Sequence, residues 1–151
     1  MGCVSLIQIR YASRVDCEQI YQLITELEDS SLNKETFTKI YLSNLLFPSI
    51  FYFVAYQDDK IIGFISIHIQ KLLHHVTEIA EIQEFIVDKN YRQMGIGKLL
   101  FAKAIEVAKE NDCMQIEVCC NRSRKNSCAF YLQRGMIKSH FKFCLSLEET
   151  K

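Results

Sequence analysis

The sequence predicts a mixed α/β domain, and three observations predict it. Apolar stripes at helical period and runs of strand character alternate along the chain. The strand-like runs between residues 51 and 87 follow one another closely enough to pair through turns. A glycine-bearing loop then joins a long strand to an amphipathic helix. Length and composition agree with one packed unit: 151 residues, 49% apolar and 24% charged, with 5 glycines and 1 proline. We therefore read residues 1–151 as a single domain. Disorder and low-complexity function are excluded. The 18 basic and 18 acidic residues leave a formal net charge of +0, so a phosphate-backbone partner is not expected.

The elements follow in order. Residues 4–10 read as a strand. Ser13 with Asp16 three positions on has capping-box spacing, and Val15, Ile20, Leu23, Ile24 and Leu27 give the following helix its apolar stripe. Asn33 caps a second helix with Phe37, Ile40, Tyr41 and Leu45 inward, and Pro48 ends it. Residues 51–56 and 61–70 are strands around the turn Gln57-Asp58-Asp59-Lys60. Residues 71–75 connect to a long strand over 76–87, whose pattern is interrupted near Gln83 and Glu84. A helix over 98–111 buries Leu100, Ala104, Ile105 and Ala108. Residues 115–120 read as a buried strand. Residues 126–134 form a helix that ends at Gly135, and 136–147 a final strand. The expected order is β-α-α-β-β-β-α-β-α-β.

The 7 cysteines are odd in number and include no C-x-x-C pair. Cys119 and Cys120, adjacent on a strand, would face opposite ways, and with Cys128 they fall in predicted core elements. They read as thiols of a reducing cytosol rather than disulfides, zinc ligands or nucleophiles. Residues 1–10 carry no signal-peptide core, and no apolar run reaches the length of a membrane span. Leu6 stands where a myristoylation signal needs Ser or Thr. A cytoplasmic protein with no membrane or nucleic-acid partner is expected.

Arg92-Gln93-Met94-Gly95-Ile96-Gly97 precedes the third helix. Such a loop aims backbone N–H groups at an anion, with the helix dipole behind them. A dinucleotide fingerprint needs glycine at Leu100, and a Walker loop needs glycine at Arg92 and Ser or Thr at Leu99. Both patterns fail. The stretch from Glu81 to Leu100 instead resembles motif A of the GNAT superfamily of acetyl-CoA-dependent N-acetyltransferases. Ala129-Phe130-Tyr131-Leu132-Gln133-Arg134-Gly135-Met136 resembles its motif B, with Met136 in place of the usual aromatic. Ile67-His68-Ile69-Gln70, Leu73-His74-His75-Val76, Glu81-Ile82-Gln83-Glu84 and Ser139-His140-Phe141-Lys142-Phe143 are similar to the aminoalkylphosphonate N-acetyltransferases. That subfamily carries a further histidine where this chain has Leu72.

The resemblance implies a GNAT fold, a mostly antiparallel sheet with splayed central strands, and acetyl-CoA as cosubstrate. It implies that Arg92, Gln93, Met94, Gly95, Ile96, Gly97 and Lys98 hold the pyrophosphate. The backbone of Phe85, Ile86 and Val87, and Asn121, would bind the rest of the coenzyme. The cleft is expected between the strand at 81–87 and that at 115–120. Related enzymes are often homodimers.

Direct acetylation of an amine needs a base for the amine, a donor for the oxyanion and an acid for the departing thiolate. Glu78, Glu81 and Glu84 are candidate bases. On an unbroken strand Glu78 shares a face with Glu84, and Glu81 with Gln83 and Phe85; a bulge would swap faces. Periodicity leaves all three open, and the resemblance points to Glu81. It likewise points to Tyr131 as the acid, its phenol having an ordinary value of about 10. A backbone N–H of the strand carrying Phe85, Ile86 and Val87 is the natural oxyanion donor.

His68, His74 and His75 lie close in sequence, without the spacing of a chelate. A hairpin could return His68 to the His74 region. They are candidate ligands for an anionic substrate group or for a divalent metal that helps hold it, with Lys71 and Arg10 as helpers. The expected reaction is acetyl transfer to a small primary amine, an aminoalkylphosphonate first. A polyamine, amino acid, aminoglycoside or protein amine is the alternative, and carboxylates lining the cleft would favour a polyamine. A non-catalytic acetyl-CoA sensor would keep Gly95 and Gly97 but would need no acid.

Overall fold

The computed structural model describes residues 5–28 and 30–148. Residues 1–4, including the start of the expected first strand and Cys3, lie outside the described residues, as does Glu149 at the chain end. The first ladder begins at β1 (Gln8–Tyr11). Helices α1 (Cys17–Glu28) and α2 (Lys34–Leu45) follow. Next come β2 (Ile50–Gln57), β3 (Lys60–Leu72) and β4 (Thr77–Val87). Helix α3 (Ile96–Glu110), β5 (Gln115–Val118) and α4 (Lys125–Gln133) complete the elements. The sheet order is β1-β2-β3-β4-β5. The first three pairings are antiparallel and β4–β5 is parallel.

Local chemistry starts and stops these elements. The Asp16 carboxylate accepts the Ser13 N–H at 2.7 Å ahead of α1, and Asn33 Oδ1 accepts the Thr36 N–H at 2.9 Å to cap α2. Asp58 takes a left-handed φ of 53° in the two-residue β2–β3 turn, a conformation Asp tolerates where no glycine is present.

Helices cover both faces of the sheet. Ile20 and Leu23 of α1 and Tyr41 of α2 pack on Tyr52, Val54, Phe64 and Ile86. On the opposite face a Cβ on Gly63 would stand 2.9 Å from Leu100 Cδ1 and 3.2 Å from Ile96 Cγ2. That close approach seats α3 on the sheet. Each fully buried Ile, Leu or Phe stabilises the fold by about 1.5–3 kcal/mol.

Among the described residues five strands form rather than the six expected. Residues 136–147 pair with no strand, and Phe141, Phe143, Leu145 and Leu147 are 80–92% exposed. Phe141, Phe143, Leu145 and Leu147 alternate with other residues as in a strand, but a strand exists only against a ladder partner. β5 ends at Val118 and is half-buried rather than buried. Cys119 is exposed and Cys120 and Cys128 are only partly buried, so none of the three is core. Val15 is 85% exposed because it sits in a 3-10 turn before α1, and Ile40 faces solvent at 56%.

The chain divides into two compact units, one running to Val118 and one beginning at Cys119. In the second, Asn121 Oδ1 accepts from the Ser123 N–H at 3.0 Å and from its hydroxyl at 2.8 Å, which turns the chain into α4. Gly135, at φ 83°, ends that helix.

Candidate active site

The β3–β4 ladder carries the local irregularity that organises the site. Ile65 pairs with Phe85 and Ile67 with Ile82, so Gln83 and Glu84 together oppose Ser66 alone. That is a β-bulge. It lies where the sequence pattern is interrupted. The bulge changes the faces: Glu81 and Glu84, on opposite sides of an unbroken strand, both come to the side of Ser66 and His68. This is the side that α1 and α2 cover farther along the sheet. Glu78 pairs with Lys71 and lies on the other face.

Ser66 is fully buried. Its Oγ accepts the Glu84 N–H at 2.9 Å and donates to the Glu84 carboxylate in a very short contact. Nearby, Asn44 Nδ2 donates to Tyr52 Oη at 2.7 Å. Burial, opposed by that hydrogen bond, raises the Tyr52 phenol, and the Glu84 charge adds to the rise. Sequence reasoning missed Ser66, Tyr52 and Asn44. The available signal was a lone hydroxyl inside the apolar run Phe64-Ile65-Ser66-Ile67.

Glu81 is half-buried, opposite His68 on β3 and beside Glu117 on β5. The hairpin therefore pairs His68 with Glu81, while His74 and His75 occupy the turn at its tip. About 13 Å of strand separates His68 from that turn. The two turn imidazoles lie together, with ring centroids 4.3 Å apart. His75 Nε2 stands 3.7 Å from Glu117 Oε1, which also accepts from Gln115 Nε2 at 2.5 Å. Glu117 is a further residue that sequence reasoning missed. Among the described residues no group of three or more His, Cys, Asp or Glu is arranged for a metal.

Both proposed cationic helpers have acidic partners. Arg10 donates to Asp16 through Nη1 at 2.7 Å and Nη2 at 2.9 Å. Lys71 Nζ lies 3.6 Å from Glu78. A depression of about 490 Å³ at the hairpin tip is lined by Lys71, Leu73, Val76, Glu78 and Asp112, not by Glu81.

The glycine loop sits where β4 hands over to α3. Gln93 and Gly95 take left-handed φ values of 61° and 81°, and Gly95 is the N-cap of α3. The first helix bond runs from the Leu99 N–H to the Gly95 carbonyl at 3.2 Å, so the N–H groups of Ile96, Gly97 and Lys98 precede it. These are the first-turn donors that a helix leaves without an internal acceptor. Arg92, Gln93, Met94 and Lys98 are exposed around them, while Ile96 is buried as an anchor. Arg92 Nε donates to the Val87 carbonyl at 3.4 Å. Backbone donors, a helix N-terminus and two cationic side chains fit a pyrophosphate. The described β4–β5 ladder ends at Ile82–Val118, and β4 continues through Phe85, Ile86 and Val87 along β3.

In the second unit Asn121 is exposed, and Tyr131 lies half-buried on α4. Burial, then the neighbouring Cys120 and Cys128, push the Tyr131 phenol up to about 12. It therefore keeps its proton at any working pH, and it is a weaker acid than an ordinary tyrosine.

A model of the acetyltransferase (GNAT) family matches residues 17–136, and the chain belongs to that family. It is thus an N-acetyltransferase of a family that uses acetyl-CoA. The aminoalkylphosphonate N-acetyltransferase of Salmonella typhimurium is 36% identical over 140 residues, covering 93% of this chain and 91% of the relative. A putative ribosomal-protein alanine N-acetyltransferase of Bacillus subtilis is 26% identical over 80% of this chain and 74% of its own. Among solved structures, a transcriptional regulator from Bacillus halodurans shares the fold at TM-score 0.86 and 23% identity, over 94% of this chain and all of its own. A putative acetyltransferase from Agrobacterium tumefaciens shares it at 0.83 and 22%, over 93% and 99%.

Proposed function

We propose that this chain transfers acetyl from acetyl-CoA to the primary amine of an aminoalkylphosphonate by direct attack. The observation that carries the reading is the bulge register. It sets Glu81 across from His68, on the sheet face that also bears Ser66 and Glu84. The likeness to the Salmonella enzyme supports the substrate class.

Glu81 takes the proton from the attacking amine, directly or through water. Backbone N–H groups of the segment bearing Phe85, Ile86 and Val87 receive the charge that develops on the carbonyl oxygen. Tyr131 gives its proton to the sulfur as the C–S bond breaks. The loop from Arg92 to Lys98, with Asn121, holds the coenzyme. Of the three candidate histidines, His68, across from Glu81, is assigned to the phosphonate, and His74 and His75 stand about 13 Å of strand away from it. A reducing, cytoplasmic setting is assigned from the odd count of 7 cysteines without a C-x-x-C pair.

Glu81, Glu84 and Glu117 favour a second reading. Three carboxylates around one stretch of β4 suit a cationic acceptor such as a polyamine.

The test is thiol release from acetyl-CoA across aminoalkylphosphonates, polyamines, amino acids, aminoglycosides and a peptide, with and without divalent metal. Turnover concentrated on phosphonates supports the first reading, and turnover concentrated on polyamines replaces it with the second. Glu81→Gln should lower kcat about 10²–10⁴-fold, the usual contribution of a general base. Unchanged kcat would remove Glu81 from the chemistry. Tyr131→Phe should slow transfer while acetyl-CoA still binds.

A further inference from the structure

We propose that Cys120 and Cys128 form a reversible dithiol–disulfide site, oxidised by a low-molecular-weight disulfide such as oxidised glutathione. Their sulfurs stand 2.9 Å apart, so about 0.9 Å of approach would bring them to bonding distance. Both thiols also point at one backbone oxygen: Cys120 Sγ is 3.6 Å and Cys128 Sγ 3.9 Å from the Asn121 carbonyl. Cys120 Sγ additionally lies 3.8 Å from the Arg124 carbonyl. The pair thus sits in the mouth of the turn that leads into α4, and both residues are partly solvent-accessible. Elsewhere in the fold, Cys17 meets the Thr38 hydroxyl and Cys113 the Asn111 carbonyl.

The exchange balances with a disulfide as oxidant. A thiolate of the pair attacks one sulfur of oxidised glutathione, forming a mixed disulfide and releasing one glutathione thiolate, which is protonated. The second cysteine loses its proton and attacks the protein sulfur of that mixed disulfide. A protein S–S bond forms and a second glutathione leaves. The pair gives up two electrons and two protons, and the oxidant becomes two thiols. Burial, then the hydrogen bond with Cys128, push the Cys120 thiol up to about 11. Cys120 is accordingly a poor first nucleophile; whichever thiol attacks first, the second attack relies on its nearness to the mixed disulfide. The bond would close a short ring around Asn121 and the start of α4, one helical turn before Tyr131.

The test uses the purified full chain with excess oxidised glutathione, quenched by alkylation and mapped by mass spectrometry. The expected product is an internal Cys120–Cys128 disulfide that predominates over any other cysteine pair and is reversed by dithiothreitol. In Cys120→Ser the cross-link is lost and Cys128 stops at the glutathione mixed disulfide. Three results would overturn the proposal: mixed disulfide persisting on Cys128 of the unmutated chain, a cross-link to Cys119 instead, or no reaction at either residue while Cys144 is modified. The unmutated chain alone decides among these, so the proposal does not depend on the variant folding.

Discussion

Asp16 shows how much of a side chain's role is local and how much is not. The Ser13–Asp16 spacing announced the turn, and the Asp16 carboxylate does accept the Ser13 N–H. Its pairing with Arg10 on β1 could not be read from spacing. Asp16 is only 3% exposed. Burial by itself would raise its carboxyl, but the Arg10 hydrogen bonds and the Ser13 N–H outweigh burial and hold it below the ordinary value. A depressed folded-state value stabilises the fold above the unfolded value of about 3.9, and that stability is lost as pH falls through the folded-state value. Thermal unfolding between about pH 5 and 2 should therefore show a fall in Tm that Asp16→Asn flattens. At neutral pH the variant should lose about 1–2 kcal/mol, a modest figure because the Arg10 side chain is 39% exposed and solvent screens the pair. Tyr131 yields a second pH expectation. With its phenol pushed up to about 12, kcat should show no alkaline limb from this group up to about pH 10. A limb that disappears in Tyr131→Phe would show that the phenol titrates lower than this, while leaving its role as the acid in place.

The elements were largely legible because their signals are short-range. Caps, apolar periods and the turn at Asp58 lie within a few residues of what they control, so helices and paired strands formed close to where the sequence placed them. The bulge was visible only as a break in pattern near Gln83 and Glu84. Its effect on which carboxylates share a face depends on Ser66 of another strand. Residues 136–147 carry the alternation of a strand, yet alternation reports only which side chains would share a face; the ladder needs a partner. Two glycines test element packing in different ways. Gly63→Ala places a Cβ 2.9 Å from Leu100 Cδ1 and 3.4 Å from the Ala55 Cβ, and overpacking of this kind costs about 1–3 kcal/mol. Urea unfolding should show that loss. Gly95→Ala meets nothing within 4 Å but must keep φ near 81°. Its cost is about 1–2 kcal/mol of backbone strain, and it should appear mainly as a raised KM for acetyl-CoA.

For the molecule as a whole, we propose that the chain unfolds as one domain although it forms two compact units. The second unit is shorter than the roughly 40 residues below which chains seldom fold alone. Calorimetry should return one transition with calorimetric and van 't Hoff enthalpies equal; a ratio well above one would mean separate unfolding. By itself the sequence determined the α/β class, the order of elements through α4, the glycine loop and the family. The first three rest on period and spacing, which are properties of neighbouring residues, and the family on resemblance to known motifs. Only the tertiary structure decided that Glu81 faces His68, that Glu117 reaches His75, that Arg10 is held by Asp16, and that two thiols in the second unit meet. For the carboxylates of the sheet the reason is register. A single extra residue in β4 exchanges the faces of everything beyond it, and what holds that residue is a serine on the neighbouring strand.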